Sequence, residues 1–206
     1  MEVYNLRNTK EKILFVCLGN ICRSPAAEGV MRAMVERAGV EEQFELDSAG
    51  TYGGHAGDLP DSRMRSAASA RGYLLTHRAR RFREDDYYDF DRIIVMDDRN
   101  YEDVSRLAPE RKYLQKVYRF VEFCRHHPQW SYVPDPYYEG REGFELVLDL
   151  LEDVVLSVRL MDFHGMGLLV DGSDIDFRAE CLICLCKYVA LAGLGFDSEV
   201  EVSCIM

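Results

Sequence analysis

The sequence predicts an α/β fold of three layers: a doubly wound sheet of four parallel strands with helices on both faces, plus an atypical C-terminal extension. Short apolar runs alternate with longer helical patterns up to Val158, which is typical of a parallel sheet covered on both sides. From Arg159 onward this alternation stops. The chain therefore divides into a folded domain over residues 1–158 and an extension of unknown role over residues 159–206.

The individual elements follow from apolar runs and from the residues that end them. Short apolar runs predict four strands, at Ile13–Val16, Phe44–Leu46, Arg92–Met96 and Val117–Phe120. Helical periodicity predicts four helices, at Ala26–Arg37, Ser62–Arg71, Asn100–Leu107 and Glu142–Val158. Gly39 and Gly72 end the first two helices and Pro109 follows the third, as expected for helix termini.

The loop after the first strand has the features of an anion-binding site. Gly19 and Asn20 tolerate unusual backbone angles, so the loop can turn its N–H groups inward. Ser24 and Pro25 then predict a helix start, with Ser24 as the cap. A loop of inward N–H groups at a helix N-terminus binds phosphate, and here it follows the carboxyl end of a strand, where such sheets bind ligands.

This loop also carries a nucleophile and a cation. Cys17 stands at its start and Arg23 at its end. The helix dipole, the N–H groups and Arg23 all favour the thiolate of Cys17 over the thiol. Because a guanidinium holds two phosphate oxygens in a fork, Arg23 is suited to clamp a phosphoryl group in both ground and transition states.

Composition limits the classes of partner. The formal net charge is −11 and the isoelectric point is about 4.9, which argues against nucleic acid and against an anionic membrane surface. The N-terminus lacks an apolar signal region, and the seven cysteines form no even disulfide framework. We therefore expect a cytoplasmic protein without stable membrane insertion.

Six segments together resemble the low-molecular-weight protein tyrosine phosphatases, in the order of that family and over about residues 12–158. They are Cys17-Leu-Gly-Asn-Ile-Cys-Arg-Ser-Pro25, Ser48-Ala-Gly-Thr51, Pro60-Asp-Ser-Arg63, His77-Arg-Ala-Arg80, Val95-Met-Asp97 and Asp135-Pro-Tyr-Tyr138. The resemblance implies a phosphatase of phosphotyrosine proteins that works through a phosphocysteine intermediate without metal or cofactor.

The resemblance also implies a role for each site residue. Cys17 is expected to be the nucleophile, Arg23 the phosphate clamp and Asp135 the general acid and base. The phosphate-binding loop would comprise Leu18, Gly19, Asn20, Ile21, Cys22, Arg23 and Ser24; its support would come from Asn20, Ser48 and His77, and the substrate cleft from Tyr52, Tyr137 and Tyr138.

Several of these roles have a physical reason. An expelled phenoxide needs a proton donor, which Asp135 would supply on the loop that starts with Pro136. Ser24 can donate its hydroxyl to the Cys17 sulfur when sulfur leaves. In relatives a cysteine at the position of Cys22 forms a reversible disulfide with the nucleophile and protects it from deeper oxidation. For Asp97 and Arg80 we predict only a salt bridge or a cap.

Three other functions remain open. Arsenate reduction on this scaffold relays oxidation through two further cysteines, and residues 73–91 contain none. Phosphoarginine phosphatases of similar sequence tend to carry Thr at the position of Ile21. A non-catalytic phosphotyrosine-binding protein would need neither Cys17 nor Asp135.

The C-terminal extension offers little chemistry. It holds Cys181, Cys184, Cys186 and Cys204, but no nearby His completes a familiar zinc spacing. Its apolar run over residues 181–196 is too short to span a bilayer. We expect an additional helix, an element for self-association or a non-native terminal sequence.

Overall fold

The computed structural model describes residues 10–124 and 126–164 of the chain. Its centre is one parallel sheet of four strands in the order β2-β1-β3-β4. The strands are β1 Glu11–Cys17, β2 Phe44–Gly50, β3 Arg92–Val95 and β4 Val117–Arg119. All three neighbouring pairs run parallel. The predicted fold class and the existence of all four strands are therefore confirmed.

Helices cover both faces of this sheet. They are α1 Arg23–Arg37, α2 Ser62–Ala70, α3 Asp86–Asp89, α4 Asp98–Ser105 and α5 Arg141–His164. Side chains of β1 alternate between two apolar clusters: Ile13 and Phe15 pack with residues of α1, α2 and α5, whereas Leu14 and Val16 pack with residues of α3 and α4. This alternation, which follows from the two-residue period of a strand, produces the predicted three layers.

The helix boundaries differ from prediction where tertiary contacts take over. We predicted that Ser24 caps α1, but the helix begins at Arg23 with Cys22 as its cap residue and no side-chain cap hydrogen bond. Ser24 lies within the first turn because its hydroxyl bonds to groups of the loop and of β2. Gly39 and Gly72 adopt left-handed conformations with φ of +64° and +81°, as expected for residues that end helices. The end of α1 at Arg37 is confirmed, and α2 ends at Ala70, one residue earlier than predicted.

Smaller differences concern short elements. The predictions for β3 and β4 extended one residue too far: Met96 lies beyond β3, and Phe120 lies in a 3-10 turn over Phe120–Phe123. Those for β1 and β2 were too short, because these strands continue to Cys17 and Gly50. The four-residue helix α3 was not predicted because four residues are too few to establish a helical period. Further 3-10 turns occur at Glu41–Gln43, Arg111–Lys116 and Pro136–Tyr138.

The last helix extends past the predicted domain boundary. It was predicted to end at Val158, yet α5 continues to His164. None of the helices in the described part of the chain has the length and apolar character needed to span a membrane. The four cysteines predicted to lie in the extension, and its proposed self-association, fall outside the described residues.

Candidate active site

The loop between β1 and α1 is held by the backbone that follows β2. Thr51 N–H donates to the Cys17 carbonyl at 2.9 Å and Tyr52 N–H donates to the Leu18 carbonyl at 2.8 Å. Gly50 permits this close approach, because a Cβ there would stand 2.7 Å from the Leu18 carbonyl oxygen. On the other side, Asp61 N–H donates to the Ile21 carbonyl at 2.8 Å. The loop is therefore tied at both flanks.

The Cys17 sulfur lies at the base of this loop, at the carboxyl end of β1. Its residue is 2 % exposed. The backbone N–H of Asn20 donates to Sγ at 3.3 Å, and Ser24 Oγ lies 3.1 Å from it. Hydrogen-bond donors directed at sulfur stabilise its negative form.

The Ser24 hydroxyl has two alternative acceptors within the site and does not cap α1. Its oxygen accepts from Asn20 Nδ2 at 2.9 Å, and its hydroxyl proton can go either to the Ala49 carbonyl at 3.2 Å or to Cys17 Sγ. Since a hydroxyl has one proton to donate, the charge on sulfur decides which acceptor receives it. This satisfied position explains why Ser24 does not cap α1.

Asn20 fixes the shape of the loop. Among the described residues it is the one non-glycine with positive φ, 55°, and it is fully buried. Its Nδ2 donates to Ser24 and, at 3.0 Å, to Ser48 Oγ; its Oδ1 accepts from the Arg80 backbone N–H at 2.8 Å. These bonds hold a conformation that otherwise costs roughly 1–3 kcal/mol.

His77 joins this residue to a pair of carboxylates. Its Nε2 lies 2.9 Å from Asn20 Oδ1, and its Nδ1 lies 3.1 Å from Glu28 Oε2 and 3.5 Å from Asp47 Oδ1. Both ring nitrogens therefore face acceptors, to which an imidazolium could donate from each nitrogen. The predicted support residues Asn20, Ser48 and His77 do meet in one network.

Glu28, which no sequence motif indicated, completes the network. Ser48 Oγ donates to its Oε2 at 2.8 Å and Arg32 donates to its Oε1 at 2.9 Å. Burial opposes its ionisation, but the hydrogen bonds from His77, Arg32 and Ser48 outweigh burial and lower the pKa of Glu28. The sequence signal that could have identified Glu28 is a charged residue within an otherwise apolar stretch of the first helix.

Three of these side chains could also serve as metal ligands. Atoms of Glu28, Asp47 and His77 lie within 4.8 Å of one another. However, Arg32 and Arg80 already donate to the two carboxylates, Arg80 at 2.8 Å and 2.9 Å to Asp47. The two guanidinium groups thus balance the charge of the two carboxylates, and this arrangement suits an ion-pair network better than a cation site.

Arg23 connects the loop to two acids from distant parts of the chain. It is 3 % exposed, with Nη1 2.6 Å from Asp97 Oδ2 and Nη2 2.7 Å from Asp135 Oδ2. Nη1 also donates to the Val133 carbonyl at 3.2 Å. Burial alone would lower the pKa of Arg23, but the charges of Cys17, Asp135 and Asp97 raise it.

Asp97 combines the two structural roles predicted for it. Its Oδ1 accepts from Asn100 N–H at 2.7 Å and so caps α4, while its Oδ2 holds Arg23. The sequence signal for contact with Arg23 was its position just after β3, because the carboxyl ends of parallel strands share one edge of the sheet. Arg80 likewise forms ion pairs, with Asp47 and Asp86.

Asp135 lies on the turn that closes the other side of the loop. Its Oδ1 accepts from Tyr137 N–H at 3.2 Å, which starts the turn Pro136–Tyr138. Its side chain is 39 % exposed. The carboxyl group is therefore fixed at one oxygen and bonded to Arg23 at the other, beside the loop yet open to solvent.

The three tyrosines predicted to line the substrate cleft lie on two different loops, which would form two walls of a candidate cleft. Tyr137 and Tyr138 stack edge to face with ring centroids 5.0 Å apart, and Tyr138 is 93 % exposed. Tyr52 lies on the loop after β2, packed edge-on against His55 at 6.2 Å. The guanidinium of Arg63 lies 5.3 Å from the Tyr137 ring centre, so it supports that wall.

His55 is a neighbour of the phosphate-binding loop that the sequence did not reveal. A Cβ on Gly19 would stand 3.3 Å from His55 Cδ2, so the imidazole covers the outer side of the loop. No local motif marks this contact, because it depends on how the loop after β2 folds back.

Cys22 is the second cysteine of the loop. It is buried, and burial raises the pKa of its thiol well above the usual range, with the charges of Asp61, Cys17 and Asp135 adding to the effect. Cys17, Cys22 and Cys124 are free cysteines. Cys22 is therefore held as a thiol within the same loop as the candidate nucleophile.

Comparison with known proteins places this site in a family. The family model described as low molecular weight phosphotyrosine protein phosphatase matches residues 12–159, more than half of the chain. The human protein of that name is 37% identical over 138 residues, which cover 66% of this chain and 86% of the human one. A low molecular weight protein-tyrosine-phosphatase of Streptomyces coelicolor is 41% identical over 142 residues, covering 68% and 87%.

A solved structure agrees with the sequence matches. The crystal structure of a protein tyrosine phosphatase from Entamoeba histolytica, with Hepes in its active site, superposes with a TM-score of 0.73 at 42% identity, covering 77% of this chain and 100% of that one. Since the family match includes the loop, its support network and the Asp135 turn, the chain belongs to the low molecular weight phosphotyrosine protein phosphatase family and is a protein-tyrosine-phosphatase.

Proposed function

We propose that the protein hydrolyses phosphotyrosine monoesters of protein substrates through a phosphocysteine intermediate, with Cys17 as nucleophile, Arg23 as phosphate clamp and Asp135 as general acid and base. One observation carries the proposal: Cys17 Sγ accepts from Asn20 N–H in a buried loop whose Arg23 is bonded to Asp135. The candidate nucleophile and the cation lie in one loop, and the candidate acid comes to them from a part of the chain 112 residues away.

In the first step a lone pair of Cys17 Sγ attacks phosphorus, and the bond between phosphorus and the tyrosine oxygen breaks. Protonated Asp135 gives its proton to that oxygen, so that neutral tyrosine leaves. Arg23 is suited to hold two equatorial phosphate oxygens during this transfer. Because Arg23 Nη2 contacts Asp135 Oδ2, phosphate would compete with that carboxylate for the guanidinium and thereby release it towards the leaving group.

In the second step water attacks phosphorus and the bond between sulfur and phosphorus breaks. Asp135, now a carboxylate, takes the proton of the attacking water. The Ser24 hydroxyl, 3.1 Å from Sγ, turns from the Ala49 carbonyl towards the sulfur that leaves as a thiolate. Phosphate departs, and the proton on Asp135 restores the starting state.

The preference for phosphotyrosine would come from the depth of the phosphate-binding loop and from the aromatic walls of the cleft. The sulfur is buried at the base of the loop, so a long, rigid phenol reaches it more easily than the short stem of phosphoserine. Tyr52, Tyr137 and Tyr138 would pack on the phenol ring. Ile21, almost completely buried, occupies the loop position where phosphoarginine phosphatases tend to have Thr.

Cys22 would protect the nucleophile from oxidation. Because the pKa of its thiol is raised by burial, Cys17 would react with peroxide first, forming a sulfenic acid that condenses with the Cys22 thiol to a disulfide and water. We also propose that residues 1–158 form the catalytic domain and that the protein works in the reducing cytoplasm, where this disulfide would be reversed.

The test is hydrolysis of phosphotyrosyl, phosphoseryl and phosphoarginyl peptides of one sequence by the wild type, Cys17→Ser and Asp135→Ala. We expect turnover of the phosphotyrosyl peptide by the wild type, none by Cys17→Ser and slow turnover by Asp135→Ala. Undiminished turnover by Cys17→Ser would overturn the mechanism. Faster turnover of the phosphoarginyl peptide than of the phosphotyrosyl peptide would make phosphoarginine the substrate class, with the same phosphocysteine mechanism.

A further inference from the structure

A basic segment lies beside the candidate active site in an otherwise acidic protein. Residues 77–83 read His-Arg-Ala-Arg-Arg-Phe-Arg in a chain of net charge −11. The guanidinium of Arg80 already forms ion pairs with Asp47 and Asp86. Arg78 and Arg81 are instead exposed, and they remain without a function in the proposed mechanism.

The sheet register places Arg81 close to the nucleophile. Cys17 is paired with Gly50 in the ladder between β1 and β2, and Gly50 is in turn bridged in parallel to Arg81. Two hydrogen bonds fix that bridge, Gly50 N–H to the Arg80 carbonyl at 2.9 Å and Phe82 N–H to the Gly50 carbonyl at 2.8 Å. Since neighbouring strands lie about 4.8 Å apart, the backbones of Arg81 and Cys17 are separated by roughly 10 Å.

Both arginines pack against the loop over residues 51–58, which carries the wall residues Tyr52 and His55. The stem of Arg81 lies over Gly53, where a Cβ would stand 3.2 Å from Arg81 Cδ. Arg78 Nη1 donates to the Gly57 carbonyl at 2.9 Å. The two guanidinium groups therefore flank this wall of the cleft.

The charges of this wall are not neutralised locally. Among residues 10–124 and 126–153, no carboxylate forms an ion pair with Arg78 or Arg81, and Asp58 of the same loop instead lies 3.2 Å from His55 Nδ1. This wall therefore carries two positive charges, on Arg78 and Arg81, beside the proposed position of the substrate.

We propose that Arg78 and Arg81 form a docking site for acidic side chains that flank the phosphotyrosine of a substrate peptide. This inference rests on the proposed function. An extended peptide advances about 3.3 Å per residue, so a carboxylate two to three residues from phosphotyrosine reaches Arg81.

The test compares two phosphotyrosyl peptides that differ only at positions two and three on both sides of phosphotyrosine, Glu in one and Gln in the other. The enzymes are the wild type, Arg81→Glu, the charge-retaining Arg81→Lys and the control Arg111→Glu. Arg111 is exposed in the turn that precedes β4, at the far edge of the sheet, and its substitution changes the net charge equally.

We expect the wild type to prefer the Glu peptide by about three- to tenfold in kcat/KM at low salt, as surface ion pairs allow. The preference should lie in KM, shrink with added salt, persist in Arg81→Lys and Arg111→Glu, and disappear or reverse in Arg81→Glu. Equal preference in Arg81→Glu and Arg111→Glu, or none in the wild type, would overturn the proposal.

Two control measurements complete the test. The first distinguishes loss of peptide docking from loss of catalysis, and the second distinguishes a peptide ligand from a membrane. Hydrolysis of p-nitrophenyl phosphate, which has no flanking residues, reports catalysis alone. If the wild type does not hydrolyse it, the proposed function is contradicted. If the wild type hydrolyses it but shows no preference between the two peptides, only the docking site is contradicted. Sedimentation with phosphatidylserine vesicles tests a membrane as the occupant. Vesicle binding lost in Arg81→Glu, with unchanged peptide preference, would overturn the peptide proposal.

Discussion

The base of the candidate site and its walls are built in opposite ways. Asn20, Arg23 and Ser24 at the base are at most 3 % exposed, and each has several hydrogen-bond partners. Tyr52 and Tyr138 on the walls are 58 % and 93 % exposed and make mainly ring contacts. The base is therefore preorganised for one charge distribution, whereas the walls can adjust to different peptides.

This difference separates two kinds of substitution. A change at the base removes buried hydrogen bonds, so it should lower both kcat and the free energy of unfolding. A change on the walls removes exposed surface, so it should raise KM and leave stability intact. The loss of activity is therefore expected to decrease from the nucleophile, through the buried network, to the walls.

The largest effect is expected for Cys17→Ser. A serine hydroxyl is a far weaker nucleophile near neutral pH, so kcat for a phosphotyrosyl peptide should fall by about 10⁴-fold or more. Unlike other changes at the base, this one should leave thermal unfolding nearly unchanged, since Ser fits the space of Cys and its oxygen can accept the hydrogen bond from Asn20 N–H. The phosphoenzyme can be trapped by acid quench of the wild type, and a trapped phosphoenzyme in the variant would contradict Cys17 as its site.

Asp135→Asn should come next. It removes the proton donor but keeps the shape of the turn, so kcat for the peptide should fall by roughly 10²–10⁴-fold. Aryl phosphates with acidic phenols need less protonation and should lose much less. An equal loss for phenols of high and low acidity would show that Asp135 does not protonate the leaving group.

Asn20 tests whether the buried network governs the chemistry. Asn20→Ala loses the amide bonds and strains a residue at φ of 55°, so we expect about a 10- to 100-fold loss in kcat together with roughly 1–3 kcal/mol of stability. Asn20→Gly, the matched control, tolerates that φ but lacks the amide. If Gly restores activity fully, backbone strain rather than the hydrogen bonds accounts for the loss.

Glu28→Gln should have a smaller effect that depends on pH. The folded protein lowers the pKa of Glu28, so its stabilising contribution is present above the ordinary pKa of Glu and is lost as pH falls through the lowered value. Near pH 7 the variant should be less stable by about 1–3 kcal/mol. Urea unfolding at pH 7 and at acid pH should show this difference shrinking, and a constant difference would contradict it.

Tyr138→Ala should have the smallest effect. Its ring is almost fully exposed, so we expect at most about a threefold rise in KM for a phosphotyrosyl peptide, with kcat and the unfolding midpoint unchanged. Tyr52→Ala offers a comparison from the opposite wall. A large loss of kcat in either variant would mean that the walls position the reacting group.

Sequence reasoning succeeded where the pattern was local. The strands and α1, α2, α4 and α5 follow from apolar period, and the loop at Cys17 follows from its Gly-Asn and Ser-Pro pairs. It failed at Ser24, because the capping preference of Ser assumes a free hydroxyl, whereas this hydroxyl bonds to Asn20 and Ala49. The contact of His55 with the loop had no local signal at all.

The sequence by itself determined the α/β fold, the loop that carries Cys17 and Arg23, and the basic segment over residues 77–83, since these depend on residues near one another in the chain. Only the tertiary structure decided that Arg23 meets Asp97 and Asp135, which lie 74 and 112 residues away, and that Gly50 lies between Cys17 and Arg81. The physical reason is the strand order. The order determines which strand ends lie next to one another at the edge of the sheet, and no local sequence pattern encodes that order.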